Sequence, residues 1–278
     1  MAVLCVLGGD VDRCVPHLET SISVAKQLAT RMDGLLAMPD PANTAMYFVS
    51  AEAVMAGASG VSAVSAAQTT LRKDYDAAFK SAVSEAGSWL NADLKHETGH
   101  VQTLVANHAI LSDATVFPRE AAQSGHALNP VFEYALMEER LPAILASSSG
   151  KLTGPAVIAW DGSPRAMRAV RAHLPLIQSL GEAIVAHNPD KDRELGGAPE
   201  ITTPEALSDW LHDERVTARV ETFSGKVSDG LLKIAGTHKA GPIVMGAYGH
   251  SRIGQMLFGG TSRALMNAEV GPALALAH

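Results

Sequence analysis

Two stretches of this chain have residue types and spacing that could do chemistry. The first, 95–101, reads K-H-E-T-G-H-V and contains H-E-x-x-H. On a helix that pattern sets two imidazoles one turn apart around a zinc ion, with the glutamate between them as general base. The second lies near the C-terminus: Met245-Gly246-A-Y-Gly249-HSRIGQMLF-Gly259-Gly260-Thr261-Ser262, or Gly-x2-Gly-x9-Gly. Gly246 and Gly249 allow a sharp turn and a close approach of backbone to a ligand. Gly259 and Gly260 put bare backbone N–H groups ahead of a helix, where orphan donors and a partial positive charge suit a phosphate. Thr261 and Ser262 add hydroxyl donors or an N-cap. The loop is not a Walker loop, since no G-K-[ST] follows, and it is not G-x-G-x-x-G. A third residue, Asp161, follows an apolar run in W-D-G-S. It can accept from an amino group or a ribose hydroxyl, or cap the next helix together with Ser163.

The elements that position these residues emerge from an internal repeat. A-L-M followed by a short charged turn, a proline and an apolar run occurs at 135–146 and again at 264–277. The copies are about 130 residues apart, too long for a solenoid period, so the repeat is a duplicated domain. DATVF at 113–117 matches GPIVM at 241–245, and AVLCVLG at 2–8 matches AVIAWDG at 156–162. The larger spacing of this last pair calls for an insertion in the first copy, placed in the Ala/Ser/Gly/Val-rich stretch 47–68. The boundary is the SSSGKLT stretch at 147–153, giving domains 1–148 and 154–278.

In the second domain, strands at 156–160, 183–187, 215–223, 242–245 and 273–277 alternate with helices at 163–179, 204–212, 227–237 and 261–267. The first domain has the same order with a longer second helix over 65–90. Short apolar strands alternating with amphipathic helices predict an α/β fold: two tandem five-stranded parallel-sheet domains. The last strands, 142–146 and 272–277, can pair with each other and make an intramolecular pseudo-dimer, because an unpaired edge is a liability.

The repeat answers the zinc question. HET at 96–98 aligns with VET at 220–222, which alternates like a strand. Residues four apart on a strand lie about 13 Å apart, and two such histidines cannot share one ion at about 2 Å. Thr103 and Ala106 stand where an extended protease motif needs Gly and His. H-E-x-x-H is therefore expected to be a chance match.

Composition bounds the function. At 47% hydrophobic the chain can bury a large core, and no segment reaches membrane length. A net charge of −7 with no basic run argues against nucleic acid as a partner. The two cysteines, Cys5 and Cys14, are expected to be reduced structural thiols of a cytoplasmic protein.

With V-M-G before the loop, Gly-x2-Gly-x9-Gly within it, Asp-Gly-Ser after the first strand and the five-strand order, the second domain resembles the ATP-binding type of universal stress protein. In outline the whole chain resembles a tandem member of that family, with its Rossmann-like fold related to the adenine nucleotide alpha hydrolases. The resemblance implies ATP as ligand, with Mg2+ held through the phosphates. Asp161 and Asn188 would flank the adenosine. Met245, Gly246, Gly249, Gly259, Gly260, Thr261 and Ser262 would surround the phosphates. Gly260 stands where the family usually has Ser or Thr, and Asn188 where an apolar residue is common. In the first domain Pro118 replaces the first loop glycine and has no N–H. That domain is expected to bind no ATP in the family's manner, although Asp10 echoes Asp161.

The leading expectation is a cytoplasmic stress-response regulator that binds an adenine nucleotide in its second domain and hydrolyses it slowly at most. His250 and Arg252 in the loop read as solvent-facing residues. The alternatives are a nucleotide-free interaction protein of the same fold, or an adenylyl-transfer or pyrophosphatase enzyme. DGSPR after strand 156–160 disfavours the enzyme, which calls for S-G-G-x-D there. An unidentified protein partner and association of two chains complete the expectation.

Overall fold

The chain's architecture is given by a computed structural model that describes residues 2–42, 57–190, 202–247, 260–268 and 270–278. The first half runs β1 (Ala2–Leu7), α1 (Val15–Gln27), β2 (Arg31–Met38), α2 (Gly57–Ala86), β3 (Ala92–Thr98), α3 (Val101–Ile110), β4 (Ala114–Phe117), α4 (Asn129–Glu133) and β5 (Ala143–Leu145). A π turn, Tyr134–Glu138, prolongs α4. The second half runs β6 (Ala156–Trp160), α5 (Pro164–Ala172), α6 (Leu174–Leu180), β7 (Glu182–His187), α7 (Pro204–Asp213), β8 (Thr217–Thr222), α8 (Val227–Thr237), β9 (Pro242–Gly246), α9 (Gly260–Met266) and β10 (Ala273–Ala277).

The ten strands of the described residues form one sheet, in the order β3-β2-β1-β4-β5-β10-β9-β6-β7-β8. Pairing within each half is parallel. The halves meet at β5 and β10, which run antiparallel with Leu274 opposite Leu145, Ala275 opposite Ile144 and Leu276 opposite Ala143. Each half thus has the five-strand parallel order expected from the repeat, and the last strands pair as expected. Because β1 is buried along its whole length, its alternate residues feed two cores. Val3, Cys5 and Leu7 join Ile144, Ile158 and Ala275 on one face. Leu4 and Val6 join Leu145, Val157 and Leu274 on the other. Both cores run without a break from one half to the other.

The 147–153 stretch is part of this junction. Ser147 N–H donates to Thr20 Oγ1 (3.2 Å), and Ser148 exchanges bonds with the backbone of Gly271 in the second half. Arg119, just after β4, is 5% exposed and reaches across as well. Its guanidinium donates to the carbonyls of Ala268 (2.7 Å), Pro272 (2.8 Å), Leu265 (3.0 Å) and Ala146 (3.3 Å). Leu265 and Ala268 lie at the end of α9, where helix carbonyls lack internal partners.

Two helices differ from the sequence expectation. The helix expected over 163–179 breaks at His173 into α5 and α6. Pro175 cannot donate into the preceding turn, and His173 turns inward to meet Leu276 O with Nε2 (3.1 Å). The long helix expected over 65–90 begins earlier, at Gly57, so the latter part of the expected insertion is helical; residues 47–56 of that stretch lie outside the described residues. The helix ends at Gly87, whose φ of +90° suits a C-terminal glycine.

Candidate functional site

The zinc-like motif can be settled from its side chains. His96 and Glu97 lie on β3, and His100 is the N-cap of α3. Alternation on the strand sends neighbours to opposite faces. His96 Nε2 meets Asp76 Oδ1 on α2 (2.9 Å), whereas Glu97 Oε1 meets His108 Nε2 on α3 (2.7 Å). His100 Nδ1 sits 2.8 Å from Thr103 Oγ1. The three side chains serve three different contacts. Among the described residues no cluster of three or more His, Cys, Asp or Glu side chains could hold a metal.

The other candidates gather at one edge of the second half. The neighbours of β6 are β7 on one side and β9 on the other, so the connections from β6 and β9 leave on opposite sides of the sheet. A crevice opens at such a switch point, outside the carboxyl ends of the strands. Asp161 follows β6, Asn188 follows β7, and Met245 and Gly246 end β9, so the register brings these positions to the same rim. Gly260, Thr261 and Ser262 open α9. Gly249 and Gly259, with His250 and Arg252, lie outside the described residues.

Each placed residue has a local job. Asp161 Oδ1 accepts from Ser163 N–H (3.0 Å), and Ser163 Oγ accepts from Ala166 N–H (3.2 Å) as the N-cap of α5. Asp10 repeats this in the first half, accepting from Asp12 N–H (3.1 Å), so the two aspartates are structural counterparts. One oxygen of Asp161 is thereby engaged, and the side chain remains exposed at the rim. Asn188 is 5% exposed and ties two loops together. It donates to Gly225 O (3.0 Å) and accepts from Asp190 N–H (3.0 Å). Its amide is therefore occupied at both ends, and it frames the crevice. Met245 is buried in the core that also holds Leu265 and Met266 of α9, which packs the last helix behind the end of β9. Ser262 is buried too, whereas Gly260 is exposed and a Cβ there would meet nothing within 4 Å.

Gly246 is different. A Cβ at this position would lie 3.1 Å from the Arg165 carbonyl carbon, 3.2 Å from Arg165 Cβ and 3.2 Å from Arg165 O. These are tighter than ordinary contacts, and two of the three atoms are backbone, so a side chain at 246 would require β9 and the first turn of α5 to move apart by a few tenths of an ångström. The same contact sets Arg165 beside the strand end.

Two residues of this rim went unnoticed in the sequence. Trp160, the last residue of β6, is 5% exposed and its Nε1 donates to Thr202 O (2.9 Å). His187, opposite Trp160 in register, is buried with Nδ1 3.2 Å from Trp160 O. Their only signal was position: each closes a strand whose carboxyl end borders the crevice.

The comparisons with known proteins bear on the fold that carries this crevice. Residues 153–270 match the model of the universal stress protein family. No curated protein matches the sequence. Among solved structures, a universal stress protein from Archaeoglobus fulgidus is similar over 99% of this chain and 97% of its own, with a TM-score of 0.65 at 12% identity. A protein of unknown function from Pseudomonas aeruginosa is similar over 99% of this chain and 92% of its own, with a TM-score of 0.51 at 12% identity. At such identity the likeness is one of fold, and it spans both halves. Residues 153–270 of this chain are thus similar to the universal stress protein family, and the likeness of fold spans both halves.

Proposed function

We propose that the second half binds an adenine nucleotide, ATP foremost, in the crevice at the carboxyl ends of β6, β7 and β9. The observation that carries this reading is Gly246. Bare backbone ends β9 at the switch point, packed closely against the start of α5, and Asp161 stands on the adjoining strand end. In this reading Asp161 accepts from the sugar or base with its remaining oxygen. Asn188 keeps the wall in place. Gly246, Gly249, Gly259 and Gly260 offer backbone N–H groups to the phosphates, with Thr261 and Ser262 next to them. A divalent cation such as Mg2+ would ride on the phosphates, since it keeps several waters and needs no all-protein cage.

Binding is proposed to act as a switch in a cytoplasmic stress response, by ordering the glycine loop and changing what the chain associates with. Hydrolysis is proposed to be slow at most. Among the described residues of the rim, Asn188 and His187 are engaged in structural bonds, and Asp161 keeps one oxygen, which this reading assigns to the sugar or base and not to a proton transfer.

The test is direct. Freshly purified protein is denatured, and released nucleotide is identified by mass spectrometry. The same is done for Gly246→Val and Gly259→Val, with circular dichroism to confirm that each variant is folded. The reading expects ATP or ADP near one per chain, lost in both folded variants. Absence of nucleotide, together with no thermal shift on adding Mg-ATP, would sink it and leave an interaction protein of the same fold.

A further inference from the structure

The turn that joins α9 to β10 is held by a side chain of the other half. Three of its carbonyls, Leu265 O, Ala268 O and Pro272 O, converge on the guanidinium of Arg119 at 3.0, 2.7 and 2.8 Å. A fourth carbonyl, Ala146 O just after β5, lies 3.3 Å away. Nε, Nη1 and Nη2 all donate, so the planar group is fixed in orientation as well as in place. Residue 271 of the turn is glycine, and a Cβ there would fall 2.8 Å from Arg119 Nη2. A guanidinium held by four bonds has little freedom to move aside, so this turn and Arg119 fit each other closely. Ser148 holds the middle of the same turn through the backbone of Gly271.

Arg119 cannot reach the second-half crevice itself. It follows β4, and β5 and β10 run antiparallel, so the carboxyl edge of the first half is the amino edge of the second. The link between them is α9. This helix has seven residues and is about 10 Å long. Its buried side is Ser262, Leu265 and Met266. Leu265 and Met266 share a core with Met245, the residue before Gly246. Thr261 and Ser262 lie one turn before Leu265 and Met266 and share their faces of the helix. A helix of two turns moves as a unit. A shift at its last turn, where Arg119 grips Leu265 O, therefore carries to Thr261 and Ser262 and to the packing behind the end of β9.

We infer that Arg119 is a positioning residue for the second-half crevice: by fixing the turn between α9 and β10 it sets where α9 stands against the end of β9, and the first half thereby tunes the affinity of the second half for its nucleotide. This inference rests on the nucleotide reading above. It gives the first half a role that needs no ligand of its own, since the segment after β4 offers Pro118 and Arg119 where the second half has its glycine loop.

Isothermal titration calorimetry of the full chain with Mg-ATP, at a temperature where every variant is folded by circular dichroism, tests this. Arg119→Met should weaken binding about tenfold, the scale of coupling between linked sites. Arg119→Lys keeps the charge without the fork and should recover part of the loss. Gly271→Ala crowds Nη2 while leaving Arg119 in place; it should weaken binding in the same direction, and it carries the test if Arg119→Met does not fold. Leu35→Ala is the control for a general loss of stability. Leu35 is a buried core residue on β2, which four strands separate from β9, so this variant should melt lower and bind Mg-ATP as the unaltered chain does. If the unaltered chain binds Mg-ATP and the Arg119 and Gly271 variants bind it equally well, the positioning role is overturned and the nucleotide reading stands. The same follows if Leu35→Ala weakens binding as much as Arg119→Met. If the unaltered chain binds no nucleotide, the nucleotide reading fails and this inference fails with it.

Discussion

Arg119 shows how one residue can turn a lost site into a joint. It occupies the segment after β4 that corresponds to the start of the glycine loop in the other half, and it spends its donors on carbonyls of both halves. Replacing it by methionine would strand several buried acceptors. The expected cost is about 3 kcal/mol or more, read as a fall in melting temperature on the order of 6–10 °C. Lysine keeps the charge but not the planar fork, so Arg119→Lys should recover only part of the loss. Two other residues govern acid stability. His17 and His173 are 3% and 4% exposed, and each places Nε2 3.1 Å from a strand carbonyl, Val116 O and Leu276 O. Burial pushes both down to about 4. In the unfolded chain they would take up a proton near pH 6.5, which the folded state refuses. Stability is therefore complete above about pH 6.5 and falls as pH drops toward 4, by on the order of 3 kcal/mol per histidine. Urea unfolding across pH 4–7 should show this slope, and His17→Gln should flatten it.

At the scale of elements, the duplicated halves keep one device that no motif search would find. The third strand of each half carries a glutamate held by a histidine of the following helix segment: Glu97 with His108, and Glu221 with His238, each at 2.7 Å. Both pairs pin a helix to an outermost strand of the sheet. Both are partly exposed, so His108→Ala should cost about 1 kcal/mol or less. The glutamate of the zinc-like motif thus has a mechanical role. A chelator should leave the melting temperature unchanged, and His96→Ala should shift it no more than a surface change does. A chelator-induced drop of several degrees would contradict the strand placement.

The strands of both halves form one sheet, joined at β5 and β10. At β5 and β10 two parallel sheets meet through three antiparallel residue pairs, flanked by cores that cross the seam on both faces. Continuous cores predict that the full chain unfolds in a single cooperative transition by calorimetry. Severing the halves would bare β10, a wholly buried apolar edge of sequence ALALA. An exposed edge of that kind pairs with another chain. The segment 154–278 expressed alone is expected to run as a dimer in size-exclusion chromatography, and a stable monomer would show that the seam is dispensable.

The sequence by itself determined the repeat, the alternation of strands and helices, the pairing of the last strands and the strand placement of H-E-x-x-H, because periodicity and duplication are local patterns written along the chain. Of the proposed site, the glycine spacing and Asp161 were legible for the same reason. What only the tertiary structure decided were contacts between residues far apart in sequence. It showed that Asn188 is consumed by Gly225 and Asp190, that Gly246 is locked against Arg165, that His173 breaks a helix to reach Leu276, and that Arg119 leaves its own half for the carbonyls of the other. No spacing rule encodes these, since the partners are brought together by the order of strands in the sheet and not by their distance along the chain.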